Sequence, residues 1–385
     1  MLKKLRVGVL FGGRSTEHQV SLVSAQSVMN ALDPHKYEVI PIGIAPSGRW
    51  LTGADALELL KSGQEPERCC FLPADPTVGR LLDADNLQAF EMLDVVFPVL
   101  HGSFGEDGTV QGLLELADIP YVGAGVLGSA LAMDKVVQKL ICRQAGLPTV
   151  DFVWFRSIDW QSPDAGQPII ANRLAEPTPA EMLEEIEKRL GFPVFVKPPN
   201  LGSSVGISKA KNRQELIAGI ELACRYDRKV LVEAAAPNAR EIEVAVLGNE
   251  RPHASVPGEI IPSNEFYDYE AKYVDGASEI RIPAELPAAL LEALRETAVR
   301  SVIACEVEGM ARVDFLVNGK TLEFFLNEIN TIPGFTSISM YPKMWEASGL
   351  SYSALLDELI RLAIDRAQKR RALSTAFQPS KEWYR

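Results

Sequence analysis

The chain has 385 residues, of which 47% are hydrophobic and 23% charged, and this length and composition predict a soluble globular enzyme of two or three domains. Its formal net charge of -12 argues against nucleic acid or an anionic membrane as the main partner, so a phosphate ligand would need a local basic pocket. Its five cysteines show no metal-ligand spacing, and no apolar run approaches the roughly 18 residues of a membrane span, so we expect a cytoplasmic protein in a reducing compartment.

The first third of the chain alternates short apolar strands with helical patterns. Strands are predicted at 7–11, 39–44 and 94–100, and helices at 20–32 and 109–117. This alternation predicts an α/β fold with a wound parallel sheet. Glycine turns follow two of the strands, at 12–15 and 102–108. Neither turn is a complete Gly-x-Gly-x-x-Gly motif, so each alone is weak evidence for nucleotide binding, although ligands of such sheets do bind at the carboxyl ends of strands.

A second region starts near Gly123 with a helix predicted at 127–145, which carries Lys135. Strands are then predicted at 152–155, 193–197, 206–210 and 230–233, and helices at 180–190 and 213–225. Residues 157–179 are rich in proline and alanine without periodicity, and we interpret them as a surface insertion. The glycine-serine loop at 197–206 has a lysine and free amides that could cradle a nucleotide's phosphates, although a plain turn is the alternative. It is not a P-loop motif.

The third region runs from about residue 234 to the end. Strands are predicted at 241–247, 254–261, 310–316 and 322–326, and helices at 287–305 and 352–372, followed by a polar tail at 373–385. Glu233 begins the segment that joins this region to the second one. It could hold an adenine edge, or it could be an ordinary solvated acid. The loop at 265–273 is aromatic and acidic, and it is either packed on its own rings or a lid that brings Lys272 to a phosphate.

The segment 326–342 is the most informative one in the chain. Glu328 and Asn330 follow an apolar strand and are two positions apart, so their oxygens can face one hard cation. A turn with the bare backbone of Gly334 comes next, and three hydroxyl side chains follow within five residues. This combination indicates a site that handles phosphate and carboxylate together, whereas a strand that ends in a polar turn is the ordinary alternative.

Asp314 is the candidate third ligand of this cation. It shares one face of an apolar strand with Arg312, and the two could form a salt bridge to the opposite strand or place Asp314 in a magnesium site. A two-residue turn at 318–319 would pair Asp314 with Glu323 and leave Glu328 out of phase. A shared metal site therefore requires a bulge or a wider turn.

Seven motifs resemble, in order, those of the D-alanine–D-alanine ligases of the ATP-grasp superfamily. They lie at 11–21, 101–112, 133–135, 197–206, 267–273, 312–314 and 327–336. The resemblance covers nearly the whole chain, and only the insertion and the tail depart from it. It implies three α/β domains, at 1–123, 124–233 and 234–385, with the nucleotide held between the central and C-terminal domains.

The resemblance also implies a reaction. Two D-alanine molecules would be joined through an acyl phosphate at the expense of ATP, for peptidoglycan precursor synthesis. The reaction would use two magnesium ions, or manganese in their place, in a homodimer. Charge develops first on phosphoryl oxygens and then on an oxyanion, so catalysis would consist mainly of positioning and electrostatics. The alternatives are a ligase that takes D-lactate or D-serine as its second substrate, and a carboxylate kinase or nucleotide-binding module.

The family's pattern further implies roles for individual residues. ATP phosphates would be contacted by Lys135, Lys197 and Lys272, and adenosine by Glu233 and Glu241. The magnesium ions would be held by Asp314, Glu328 and Asn330. The oxyanion would be stabilised by Arg312 and the amide of Gly334.

Binding of the two amino acids is implied in the same way. The ammonium of the first D-alanine would be taken by Glu17, near His101, in a hydrogen-bonded triad with Ser203 and Tyr273. The carboxylate of the second would be bound by Ser339 and the amide of Met340. Relatives that accept D-lactate tend to carry phenylalanine at the position of Tyr273, so tyrosine there favours D-alanine.

Overall fold

The structure is a computed structural model that describes residues 3–64, 69–161, 178–202, 205–261 and 279–374. These residues form three β-sheets with helices packed against them, so the predicted α/β class is confirmed. The sheets lie within residues 5–98, 152–234 and 239–330, one in each predicted domain range. The exact domain boundaries stay a prediction. Within the described ranges, no helix is long and apolar enough to cross a membrane.

The first sheet is parallel only at one end. Its strands are β1 (Leu5–Gly12), β2 (Tyr37–Ile44), β3 (Trp50–Thr52), β4 (Cys70–Phe71), β5 (Arg80–Asp83), β6 (Ala89–Met92) and β7 (Val95–Pro98), in the order β6-β5-β4-β3-β2-β1-β7. The predicted parallel strands are β1, β2 and β7. Strands β3 to β6 add an antiparallel extension, which the sequence analysis did not predict because these strands have only two to four residues each. The helices are α1 (His18–Ala31), α2 (Ala56–Lys61) and α3 (Thr109–Leu116).

The helix predicted at 127–145 is in fact two helices, α4 (Val126–Met133) and α5 (Lys135–Gln144). Asp134 interrupts them with an extended backbone, and its side chain accepts hydrogen bonds from the N–H groups of Val136 and Val137. An aspartate that satisfies the first amides of a helix favours a new helix start over continuation. Lys135 therefore stands in the first turn of α5.

The second sheet is antiparallel, with β8 (Phe152–Arg156), β9 (Val194–Lys197), β10 (Ser208–Ala210) and β11 (Lys229–Ala234) in the order β10-β9-β11-β8. Its helices are α6 (Ser157–Gln161), α7 (Pro179–Leu190) and α8 (Arg213–Ala223). The prediction that 157–179 lacks periodic structure is wrong at its start, because residues 157–161 form α6. Residues 162–177 lie outside the described ranges.

The third sheet carries most of the predicted site. Its strands are β12 (Ala239–Gly248), β13 (His253–Ala254), β14 (Gly258–Ile261), β15 (Glu279–Arg281), β16 (Gly309–Asn318) and β17 (Phe324–Asn330), ordered β15-β14-β12-β16-β17 with β13 beside β12. The single strand predicted at 254–261 is divided between β13 and β14, since Pro257 between them cannot donate to a ladder. The helices are α9 (Ala288–Ala304), α10 (Met340–Ala347) and α11 (Tyr352–Arg371).

One apolar core joins the first sheet to the third. Phe335, just after β17, packs edge-to-face on Phe97 of β7 with ring centroids 5.7 Å apart. Helix α11 lies across the same junction, where Arg366 donates to the carbonyl oxygens of Tyr121, at 2.9 Å, and Gly123. These contacts bring the glycine turns of the first sheet next to the end of β17.

Candidate active site

A β-bulge places Glu328 beside Asp314. Asp314 pairs with Glu328, but its neighbour Phe315 pairs with Leu326, so Asn327 is an extra residue in β17. The turn is also wider than two residues, because the backbone N–H of Asn318 donates to the carbonyl oxygen of Glu323 at 2.7 Å. The prediction that a shared site needs a bulge or a wider turn is confirmed on both counts. The bulge lets Leu326 enter the core while Glu328 points to the opposite face.

The three predicted metal ligands are neighbours on this face. Asp314 lies opposite Glu328, and Asn330 lies opposite Arg312 and donates to Asp314 Oδ2 at 3.0 Å. Two carboxylates and an amide oxygen are ligands that suit Mg²⁺ or Mn²⁺. Both Asp314 oxygens also accept hydrogen bonds from Arg312, at 2.7 and 2.6 Å. Across the described ranges no three His, Cys, Asp or Glu side chains form a preassembled metal cluster.

A buried carboxylate between two lysines lies where the second sheet faces the third. Glu233 is 2% exposed, so it is not a solvated acid. Its oxygens lie 2.7 Å from Lys139 Nζ and 2.5 Å from Lys197 Nζ. Burial alone would raise the pKa of Glu233, but the two ammonium groups lower it to about 2.

Lys139 is a candidate site residue that the sequence analysis did not identify. It is fully buried, and it also donates to the Asn327 carbonyl at the bulge, at 3.1 Å. Burial lowers its pKa, because the nearby carboxylate does not fully compensate for the lost hydration. The sequence did contain one indication of this role: Lys139 lies one helical turn after Lys135 in the same helix, α5, so both side chains lie on one face.

Lys135 links the predicted phosphate loop to the metal face. Its Nζ lies 3.1 Å from Glu328 Oε2 and donates to the Leu201 carbonyl at 2.9 Å. Burial opposes the charged ammonium, but Glu328 outweighs this effect and raises the pKa of Lys135. Ser203, Lys272 and Tyr273 lie outside the described residues.

Two glycines make room for the Glu17 carboxylate. A β-carbon built on Gly102 would lie 2.6 Å from Glu17 Oε2, and one built on Gly202 would lie 2.8 Å from the same atom. A side chain at either position would therefore displace the carboxylate. Glu17 is thus the point where the turns after β1 and β7 meet the loop after β9.

Glu106 and His101 hold the backbone of Ile332 from both sides. Glu106 accepts from the Ile332 N–H at 3.0 Å and from the Gly102 N–H at 2.8 Å. His101 Nδ1 lies 3.0 Å from the Ile332 carbonyl oxygen and is therefore its donor. Burial lowers the pKa of His101, whereas burial and the charge of Glu17 raise the pKa of Glu106 to about 8. Glu106 was missed as a site residue, although it lies inside the predicted motif at 101–112.

The turn after Ile332 brings the hydroxyl of Ser339 next to Gly334, which has no side chain. Ser339 Oγ accepts from the Thr336 N–H at 3.0 Å and lies 2.6 Å from where a β-carbon on Gly334 would be. Met340 begins α10, so its N–H has no acceptor within its own helix. Glu241 lies apart from these groups, on β12 opposite Leu316.

Buried lysines paired with carboxylates between two antiparallel sheets, approached by glycine loops from a third sheet, are the arrangement of the ATP-grasp class of ligases. The comparisons narrow the class further. The family model described as "D-ala D-ala ligase N-terminus" matches residues 6–124, and the one described as "D-ala D-ala ligase C-terminus" matches residues 141–361. The chain belongs to the D-alanine–D-alanine ligase family.

Relatives match over nearly their full length. The D-alanine–D-alanine ligase of Natranaerobius thermophilus is 51% identical over 382 residues, which cover 98% of this chain and 100% of that one. Among solved structures, the D-alanine-D-alanine ligase of Coxiella burnetii is 37% identical with a TM-score of 0.77, covering 96% of this chain and 97% of that chain. The VanG D-Ala:D-Ser ligase of Enterococcus faecalis is 37% identical with a TM-score of 0.80, covering 94% and 100%.

Proposed function

We propose that this protein is an ATP-dependent ligase that joins two D-alanine molecules into D-alanyl-D-alanine for peptidoglycan precursor synthesis. The observation that carries the proposal is 51% identity to a D-alanine–D-alanine ligase over 98% of the chain. Three distant segments also meet here, which supports the proposal: Glu17 and Lys135 both approach the loop at 201–202, and Lys135 pairs with Glu328.

ATP binds between the second and third sheets in this proposal. Lys135 and Lys197 contact its phosphates, together with Lys272, while Glu233 and Glu241 lie toward adenosine. Asp314, Glu328 and Asn330 would hold two magnesium ions, or manganese. When bound, these ions would supply positive charge that offsets the charge on the phosphoryl oxygens.

The amino acids bind on the side of the first sheet. Glu17 takes the ammonium of the first D-alanine, in a triad with Ser203 and Tyr273 and next to the neutral His101. The carboxylate of this first D-alanine attacks the terminal phosphorus of ATP, ADP leaves, and a D-alanyl phosphate forms. The free amine of the second D-alanine then attacks the acyl carbon.

The second step produces an oxyanion. Arg312 and the amide of Gly334 stabilise it, while Ser339 and the Met340 amide hold the carboxylate of the second D-alanine. Collapse of the tetrahedral intermediate expels phosphate and leaves the dipeptide. A positively charged guanidinium and a fixed amide suit this charge because they are oriented before the reaction.

A second candidate activity uses D-serine as the second substrate. It is favoured by the similarity to the D-Ala:D-Ser ligase of Enterococcus faecalis, which is as identical in sequence as the Coxiella burnetii structure. We further propose a cytoplasmic homodimer, as the family resemblance implies.

Product analysis distinguishes these activities. Purified protein with ATP and Mg²⁺ is given D-alanine, L-alanine, or D-alanine with D-serine or D-lactate, and phosphate release is followed with identification of products by mass. We expect D-alanyl-D-alanine from D-alanine alone and no turnover with L-alanine. If D-alanyl-D-serine forms in excess over D-alanyl-D-alanine at equal concentrations of D-serine and D-alanine, the second proposal replaces the first.

A further inference from the structure

Glu243 lies beside Arg312, and none of the roles proposed above uses it. Its Oε2 is 3.1 Å from Arg312 Nε, and its side chain is only 8% exposed. Burying a carboxylate costs several kcal/mol unless a charged or hydrogen-bonding partner compensates. Arg312 is such a partner, so the two groups form a buried pair on the face that carries the metal ligands.

The register of the sheet explains how Glu243 reaches the guanidinium. On β12, Glu243 is opposite Asp314 and Ala245 is opposite Arg312. Cross-strand neighbours and their diagonals lie within reach of a long side chain. The small side chain of Ala245 leaves space for Arg312 to lean toward Glu243.

Arg312 needs an anchor other than Asp314. Asp314 now binds the guanidinium through both oxygens, at 2.7 and 2.6 Å. A carboxylate that coordinates a cation has fewer lone pairs to offer an arginine, and the cation itself repels the guanidinium. Glu243 is not among the proposed metal ligands, so its 3.1 Å contact with Arg312 does not require Asp314 to remain on the guanidinium.

We propose that Glu243 is a positioning residue for Arg312. It holds the guanidinium toward the developing oxyanion and offsets the repulsion from the bound cations. This inference rests on the oxyanion role proposed for Arg312. A donor that is fixed before the reaction stabilises new charge without the cost of reorganisation.

The test compares Glu243→Gln with a matched control, Glu259→Gln. Glu259 is a buried carboxylate of the same sheet that pairs with Arg240 at 2.7 Å, outside the site. For Glu243→Gln we expect kcat to fall about 10- to 100-fold, while KM for ATP and the half-activating Mg²⁺ concentration change less than about threefold. Glu259→Gln should keep the wild-type kcat. Glu243→Asp, which keeps the charge, should recover part of the loss.

A double-mutant cycle with Arg312→Lys separates positioning from a merely structural role. Glu243→Gln should cost less than about twofold in kcat once Arg312 is lysine, because the guanidinium that Glu243 orients is already gone, although a positive charge remains. In EDTA without nucleotide, urea unfolding of the same four proteins should show a non-zero coupling between the two positions. This second measurement reports the contact itself, independent of turnover.

Three outcomes would overturn the inference. They are an unchanged kcat in Glu243→Gln, an equal fold-loss in both backgrounds, and a raised Mg²⁺ requirement in place of a lower kcat, which would make Glu243 a metal ligand. An unchanged kcat in Arg312→Lys would instead refute the proposed role of Arg312, and the inference with it. The two failures are distinguishable because the Arg312 variant is measured on its own.

Discussion

Glu233→Gln is the most informative perturbation of this fold. The carboxylate is buried between the ammonium groups of Lys139, at 2.7 Å, and Lys197, at 2.5 Å. Glutamine keeps the size of the side chain but removes its charge. Lys139, which is fully buried, then faces a neutral amide where it had an anion. We expect a large loss of stability for this reason.

The magnitude follows from the electrostatics of the cluster. Although burial raises the pKa of Glu233, the two lysines bring it down from 4.5 to about 2, which corresponds to about 3 kcal/mol of stabilisation at neutral pH. Removal of one partner from a buried ion pair typically costs about 3–5 kcal/mol, so we expect a loss in that range. Burial lowers the pKa of Lys139, which means that this lysine depends on the carboxylate to remain charged.

The pH dependence has a defined sign. Because the folded-state pKa of Glu233 lies below its unfolded value, its stabilisation is present above pH 4.5 and is lost as the pH falls toward 2. The difference between the wild type and Glu233→Gln should therefore be full at pH 7 and shrink below about pH 4.

Urea unfolding at pH 7 and at pH 3 measures both effects. The companion is the double variant Glu233→Gln/Lys139→Met, in which the unpaired buried charge is replaced by an apolar chain of similar length. This variant should recover at least about 1 kcal/mol relative to Glu233→Gln. The reasoning is refuted by a loss below about 1 kcal/mol in the single variant, or by a double variant that is no more stable than it.

Three further predictions concern the site. Gly334→Ala should lower kcat about 10-fold or more in steady-state assays, with the fold kept by circular dichroism, because its β-carbon would lie 2.6 Å from Ser339 Oγ; a wild-type kcat would contradict this. Burial and Glu17 raise the folded-state pKa of Glu106 to about 8, so between pH 4.5 and 8 the folded protein holds a proton that the unfolded chain has lost, and wild-type stability should fall as the pH rises. Glu106→Gln should remove this fall. If the free energy of unfolding changes equally between pH 5 and pH 8 in the wild type and the variant, the assignment is wrong. Glu328→Ala should lower kcat by at least about 100-fold while circular dichroism shows that the fold is kept, and its unfolding midpoint should fall because the buried Lys135 loses its partner at 3.1 Å. Near-normal activity at low Mg²⁺ would exclude Glu328 as a metal ligand.

Local patterns predicted much of the architecture and many of the candidate residues. Alternating strands and helices indicated the α/β class, and the i, i+2 spacing of Glu328 and Asn330 placed both on one face. Pairing arithmetic alone showed that Asp314 and Glu328 could meet only through a bulge or a wide turn, and the structure has both. Local rules misjudged the helix at 127–145, because the preference of Asp134 for capping outweighs a continuous helical pattern.

The amino-acid sequence by itself thus determined the class of fold, the family and the segments that form the site. Only the tertiary structure decided how those segments support one another. Glu106 meets Ile332 across 226 positions of the chain, and Lys139 meets Glu233 between two different elements. Burial and ion pairing depend on which distant groups share a space that excludes water, and no local pattern carries that information. The contacts that make Lys139, Glu106 and Glu243 candidate site residues are therefore seen only in the tertiary structure.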